Sequence, residues 1–165
     1  MISDFVIQPV EISADILYIL KDFTCGVDEM DEILHSPLFV AELNTDNPRG
    51  FLIKNGMCDL IGVLIIGETS VPIEYEKEKT SYLDMVDIAC LAIHKDFQYK
   101  KIGTAILNWV CSKANDFIPD VEYLHVDALD LQDGSYSAVP FYERFGFQYI
   151  DRSGVDTARM VYALH

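Results

Sequence analysis

The chain is poor in positive charge. Of its 165 residues only 12 are lysine or arginine, against 27 aspartate or glutamate, for a formal charge of -15. Such a field repels phosphate backbones and anionic lipid heads at long range. Nucleic acid is therefore not an expected partner, whereas cationic small molecules, amines and basic protein surfaces are favoured. Long hydrophobic runs are also missing. The longest, "LIGVLIIG" from Leu60 to Gly67, falls far short of the ~20 residues of a membrane helix, so no membrane span is expected. Cysteines are few and scattered: Cys25, Cys58, Cys90 and Cys111 form no C-x-x-C pair and have no histidine at zinc-ligand spacing. No metal site or disulfide framework is expected from them. The opening "MISDFVIQPVE" lacks the basic start and apolar stretch of a secretory signal. Free thiols in a reducing cytoplasm are the expectation.

What is present is apolar substance. Half the residues are hydrophobic, with nine phenylalanines and nine tyrosines, enough to bury one core in a single globular domain spanning 1–165. "FVIQPV" reads as a short strand, and Ser13 as a cap before the helical set Ile16, Leu17 and Leu20. "DEMDEILHSP" reads as a second short helix with acids in its first turn and Pro37 as its end. "GFLIKNGMCDLIGVLIIGE" reads as a hairpin turning at Asn55-Gly56. The mixed-charge run "EYEKEKTS", Glu74 to Ser81, reads as a solvated loop before the long strand "YLDMVDIACLAIH". Ile102, Ala105, Ile106, Trp109 and Val110 recur at helical spacing. "VEYLHVDALDL" then reads as a strand, "SAVPFYERF" as a short helix with Pro140 in its first turn and Gly146 as its stop, and "RMVYAL" as a last strand. The pattern implies an α/β (α+β) domain: a mixed, mostly antiparallel sheet of about six or seven strands with helices on both faces.

The junction "FQYKKIGTAILNWV", Phe97 to Val110, carries the first chemical signal. A strand feeding a helix through a short turn leaves the helix's first N–H groups free, and such a spot binds anions. Gly103 allows close backbone approach, Lys100 and Lys101 add local positive charge, and Gln98 adds an amide donor. The plainer reading is two exposed lysines and a packing glycine.

That segment, as "LAIHKDFQYKKIGTAIL", resembles the signature of the GNAT acetyltransferases, in which a strand runs into Q/R-x-x-G-x-G/A at the head of a long helix. Gln98, Ile102 and Gly103 sit on the pattern, and Lys101 stands where the family has its first glycine. A second block, "AVPFYERFGF", resembles the family's F-Y-E-x-x-G-F through Phe141, Tyr142, Glu143, Gly146 and Phe147. The stretch "FTCGVDEMDEIL" is similar to one found in GNAT toxins acting on aminoacyl-tRNA, with Met30 in place of a leucine. The resemblance implies the GNAT fold and acetyl-CoA as co-substrate. It further implies a pyrophosphate held by Gln98, Tyr99 and the N–H groups of Lys100, Lys101, Ile102, Gly103 and Thr104, and a pantetheine arm paired like an added strand with Leu91, Ala92 and Ile93.

The implied reaction is direct attack of a neutral amine on the thioester. It needs a proton acceptor for the amine, an oxyanion donor and a proton donor for the departing thiolate. Tyr142 sits on the family's general-acid tyrosine. The backbone N–H near Leu91 or Ala92 is the oxyanion candidate. For the base, period-two counting puts Asp87 on a face with Met85, Ala89 and Leu91, a bulge would shift the role to Asp84, and Asp127 is a third choice; both strand aspartates could equally face solvent. His94, His125 and His35 are further acid–base candidates by residue type, since imidazole is the usual side chain for that role, yet no Ser-His-Asp or Cys-His constellation is readable, and His94 is more simply a strand-end residue. Trp109 reads as core. Tyr75, Tyr82 and Tyr136 are candidates for lining an acceptor pocket.

The expected function is thus transfer of acetyl from acetyl-CoA to a primary amine, on a cationic small molecule or a protein. An aminoacyl-tRNA-acetylating toxin and a non-catalytic acyl-CoA-binding regulatory domain are the alternatives. A homodimer paired through an edge strand is compatible with such a fold.

Overall fold

The computed structural model describes residues 4–11, 15–43, 49–76 and 79–165. Seven strands form one mixed sheet: β1 (Phe5–Pro9), β2 (Arg49–Asn55), β3 (Leu60–Glu76), β4 (Lys79–Ile93), β5 (Tyr123–Leu129), β6 (Gln148–Gly154) and β7 (Thr157–Ala163). The helices are α1 (Ile16–Leu20), α2 (Asp28–Leu34), α3 (Pro37–Leu43), α4 (Ile102–Phe117) and α5 (Val139–Phe145). Strand order is β1-β2-β3-β4-β5-β7-β6. The pairing of β4 with β5 is parallel, while β1–β2, β2–β3, β5–β7 and β6–β7 are antiparallel. The mixed α+β sheet read from the sequence is therefore the one observed. Among the described residues no helix is long and apolar enough to cross a membrane.

Four local expectations change. Ser13 lies outside the described residues, and it is Asp15 that caps α1, its carboxylate accepting from the Tyr18 N–H at 3.2 Å. Pro37 does not end a helix but opens α3, where its missing N–H costs nothing because a first-turn N–H has no partner within the helix. The mixed-charge run is not a loop: β3 continues to Glu76 and β4 resumes at Lys79. β6 carries no apolar alternation, since all seven of its residues are exposed, which is why the periodicity passes over it.

Contacts group the chain into two compact units, one from Met1–Gly67 and Ala89–Leu107, the other from Glu68–Ile88 and Asn108–His165. The first has a core of Ile16, Leu20, Phe23, Leu34, Phe39 and Leu43 from the N-terminal segment, packed with Leu52, Val63, Ile65 and Ala92 of the strands. Its β2–β3 connection is longer than a two-residue turn. Asn55 stays in the strand and its side-chain oxygen accepts from the N–H groups of Met57 and Asp59 at 3.0 and 2.9 Å, while Cys58 takes the positive φ of 64°. The hairpin signal was correct, and the asparagine acts through its side chain.

The second unit buries Leu124, Val126 and Ala128 of β5 and Ala158 and Met160 of β7. An aromatic cluster of Tyr142, Phe145, Phe147 and Tyr162 closes it, with ring centroids 5.1 to 6.0 Å apart. Along α4 the buried stripe is Ile102, Ile106, Leu107, Val110 and Ala114. Trp109, read as core, is half-buried at its margin, edge-on to Phe117 at 6.4 Å.

Candidate active site

The junction read as an anion site is built in the first unit. Strand β4 ends at Ile93, a single 3₁₀ turn follows over Lys95–Phe97, and α4 starts at Ile102. Between them Tyr99 and Lys101 both adopt left-handed backbone, with φ of 60° and 63°. L-residues with side chains are rare in that region, and glycine enters it freely. At the position of the family's first glycine, the lysine thus holds a torsion that glycine adopts without strain.

The Lys101 carbonyl accepts the first helical bond, from the Ala105 N–H at 3.1 Å. The N–H groups of Ile102, Gly103 and Thr104 are then first-turn groups with no partner inside the helix. A serine or aspartate before the helix would bond back to them, but an ammonium has no acceptor. The side chain before α4 therefore caps none of these donors, and a helix start of that kind is suited to an anion. Tyr99, Lys100 and Lys101 are exposed, and the Lys100 ammonium lies 5.3 Å from the centre of the Phe97 ring.

A brace fixes this turn. The Gln98 amide donates to the carbonyls of Cys25 at 2.6 Å and Ile93 at 2.9 Å, so its hydrogens are engaged by the protein itself. The Lys95 N–H donates to the Thr24 carbonyl at 2.9 Å. The loop that receives these bonds is held by Asp31, whose carboxylate accepts from the Thr24 hydroxyl at 2.5 Å and the Cys25 N–H at 2.9 Å. Desolvation raises the Asp31 pKa, but those hydrogen bonds together outweigh it and hold the carboxyl below its ordinary value. Burial, aided by the Asp31 charge, pushes the Cys25 thiol up to about 11, so at neutral pH it is no nucleophile. The Phe23 to Leu34 stretch singled out in the sequence is, in this unit, the abutment of the junction.

The second unit carries the remaining candidates. The α5 helix is launched from the end of β5 by the Ala138 N–H donating to the Leu129 carbonyl at 2.8 Å. It stops at Gly146, whose φ of 124° is open to glycine and strained for other residues, and an added Cβ would sit 3.1 Å from the Tyr162 ring. Tyr142 is 5% exposed, with Phe141 and Phe147 edge-on to it at 5.0 and 5.2 Å.

Asp87 is opposite His125 in the parallel β4–β5 register, and its carboxylate lies 2.8 Å from His125 Nδ1. Asp127, two residues along β5, approaches Nε2 of the same ring at 3.6 Å. The structure thus joins three residues that the sequence offered separately and supplies the His–Asp constellation that was not readable there. Asp84 lies on the other face of β4 by alternation and accepts from the Ser70 hydroxyl at 2.5 Å.

The other two histidines offered by the sequence, His94 and His35, are structural. His94 is edge-on to Phe23 and Phe97 at 5.6 and 5.9 Å and accepts from the Asp96 N–H, and His35 Nε2 meets the Leu20 carbonyl at 3.0 Å. Tyr82 and Tyr136 are exposed, and the Tyr75 side chain is outside those described. Among the described residues no cluster of histidine, cysteine or acid could hold a metal ion.

The model of the GNAT acetyltransferase domain matches residues 35–149, more than two-thirds of the chain. No curated protein matches the sequence. Among solved structures, AtaTR bound with AcCoA superposes with a TM-score of 0.72 at 18% identity, over 99% of this chain and 95% of that one. AtaT complexed with acetyl-methionyl-tRNAfMet gives 0.69 at 19%, over 97% and 95%. The KacTA–DNA complex gives 0.66 at 20%, over 97% and 93%. At such identities the likeness is one of fold. Two of these neighbours were solved with nucleic acid, so the fold lends no support to the exclusion drawn above from net charge.

Proposed function

This chain belongs to the GNAT acetyltransferase family, and from that premise we propose that residues 1–165 act as one catalytic domain moving the acetyl group of acetyl-CoA to a primary amine. The observation that carries the reading is the start of α4, where uncapped N–H groups follow a backbone that takes a glycine torsion at Lys101. In this reading the N–H groups of Ile102, Gly103 and Thr104 bind the pyrophosphate, with Lys100 and Lys101 neutralising its charge. Gln98 acts from behind, as the brace. Leu91, Ala92 and Ile93 pair with the pantetheine arm, and an N–H at Leu91 or Ala92 receives the oxyanion.

Tyr142 gives its proton to the departing thiolate, and Asp87 takes one from the amine. Within the second unit these two groups project from opposite faces of the sheet. The Tyr142 cluster packs on Tyr162, which registers with Leu124, whereas Asp87 and His125 alternate to the other side. That separation suits an acceptor and a leaving group that reach the carbonyl from different sides.

The excess of 27 acids over 12 bases supports a cationic acceptor such as a polyamine or a protein amino group, and the thiols of Cys25, Cys58 and Cys111, outside any disulfide, suit a reducing cytoplasm. A second reading, an aminoacyl-tRNA amine as acceptor, is favoured by the neighbour complexed with acetyl-methionyl-tRNAfMet. The test is calorimetric titration with acetyl-CoA beside thiol release with spermidine and with methionyl-tRNA, each repeated in Tyr142→Phe. Binding should survive the substitution while turnover falls about 10²–10⁴-fold, the usual scale for a lost general acid. Binding without release from either acceptor would instead mark an acyl-CoA-binding regulatory domain. Growth arrest on expression, relieved by Tyr142→Phe, would favour the tRNA reading.

A further inference from the structure

Sheet cores are ordinarily apolar, and both β5 neighbours of His125, Leu124 and Val126, are. His125 is as buried as they are, at 4% exposure, and is the one buried polar or charged residue among those described. A carboxylate has no proton to give, so at 2.8 Å it is the imidazole Nδ1–H that donates to Asp87 Oδ1. Exposure of the side chains rises outward from the ring, 5% for His125, 23% for Asp87 and 50% for Asp127. On β7 the ring faces Val161, while Arg159, across from Asp127, reaches Asp151 at 3.4 Å. The ring is therefore held by Asp87, with the Asp127 carboxylate near its far nitrogen but beyond hydrogen-bond distance, and one Asp87 oxygen is tied while the other is left to act.

We propose that His125 is a positioning residue for amine deprotonation, fixing the Asp87 carboxylate through its Nδ1–H, with Asp127 adding negative charge beside the ring. The inference rests on the reading of Asp87 as the base given above. In that step an N–H bond of the acceptor ammonium breaks and its proton passes to the second Asp87 oxygen; the electron pair left on nitrogen forms the C–N bond to the acetyl carbonyl, the C–S bond breaks as the thiolate takes the Tyr142 proton, and the second nitrogen proton leaves to solvent, from which Tyr142 is reprotonated. The imidazole exchanges no proton; it sets the direction of the carboxylate. An apolar residue at 125 would pack as well in the sheet and leave Asp87 free to rotate away.

The test compares kcat and KM for acetyl-CoA in wild type, Asp87→Asn, His125→Gln, Asp127→Asn and the double variant Asp87→Asn/His125→Gln, with spermidine and with methionyl-tRNA as acceptors. His125→Gln should lower kcat about tenfold or more with KM for acetyl-CoA unchanged, and Asp127→Asn, at a half-exposed site that endangers folding little, should lower it less. Because the histidine acts through Asp87, the double variant should be no slower than Asp87→Asn alone. In protein labelled with ¹⁵N-histidine, a slowly exchanging His125 Nδ1 proton should be visible and should vanish in Asp87→Ala, which leaves it no acceptor, while Asp87→Asn, whose side-chain oxygen still accepts, should only shift it. Additive losses, or a full rate in His125→Gln, would overturn the role. If Asp87→Asn kept the wild-type rate while His125→Gln did not, the assignment of the base would fail instead. A wild-type protein that acetylated neither acceptor would remove both readings, even with the ring proton in place.

Discussion

Lys101 shows how a side chain and a backbone can be asked for different things at one position. Its φ of 63° costs a non-glycine residue on the order of 1 kcal/mol or more, while its ammonium supplies charge beside the first turn of α4. Lys101→Gly should leave the thermal midpoint level or slightly raised, since relief of strain is offset by the freer unfolded chain. Lys101→Val should lower stability by about 1–3 kcal/mol, because a β-branched residue is a true outlier there. If N–H groups do most of the holding, Lys101→Gly should weaken acetyl-CoA binding less than tenfold, about 1.4 kcal/mol. A larger loss by titration would mean that the ammonium, not the backbone, is the chief ligand. From the sequence, the missing glycine at this position looked like a gap in the motif. The torsion angle shows that the lysine takes a conformation glycine adopts freely, which no residue type alone can reveal.

At the scale of elements, the turn between β4 and α4 depends on a loop 73 residues earlier in the chain, through Gln98 and the Cys25 carbonyl. Gln98→Leu would leave the Cys25 and Ile93 carbonyls short of a donor, at about 1–3 kcal/mol for a buried group left unpaired. It should also loosen the helix start, so acetyl-CoA affinity should fall although Gln98 touches no ligand in this reading. Unchanged affinity with lowered stability would confine the brace to folding.

Elements whose signals are local were legible beforehand: α4 from its apolar spacing, α5 from Pro140 and Gly146, the β2–β3 hairpin from Asn55. Those that depend on distant partners were not. The ends of β3 and β4 stay extended through charged residues because strand pairing overrides composition, and β6 is held by β7 although all of its residues, Tyr149 and Ile150 included, are exposed. The candidate site divides in the same way. Tyr142 and the Gln98–Thr104 stretch could be found by motif. The Asp87–His125 pair needed the parallel register of strands whose paired residues are 38 positions apart.

For the whole molecule, the charge of -15 is a field as well as a count. Raising ionic strength from about 0.01 M to 0.15 M shortens the Debye length from about 30 to 8 Å. If that field draws in a cationic acceptor, KM for spermidine should rise across this range while KM for a zwitterionic amino acid stays level, with kcat steady for both. For a tRNA acceptor the same salt should ease repulsion and lower KM. Steady-state kinetics at the two ionic strengths therefore separates the readings without any substitution.

The sheet ends in β1 and β6, and the way each ends bears on the life of the protein at high concentration. A bare strand edge is a template on which other chains can stack. Here β1 closes on Pro9, which has no N–H to offer, and β6 carries Asp151 and Arg152 with pairing shifts on either side that break a straight ladder. Both borders of the sheet are thus poor seeds for fibril growth, and the acidic surface adds mutual repulsion. A chain built in this way can be abundant without recruiting its own copies into aggregates.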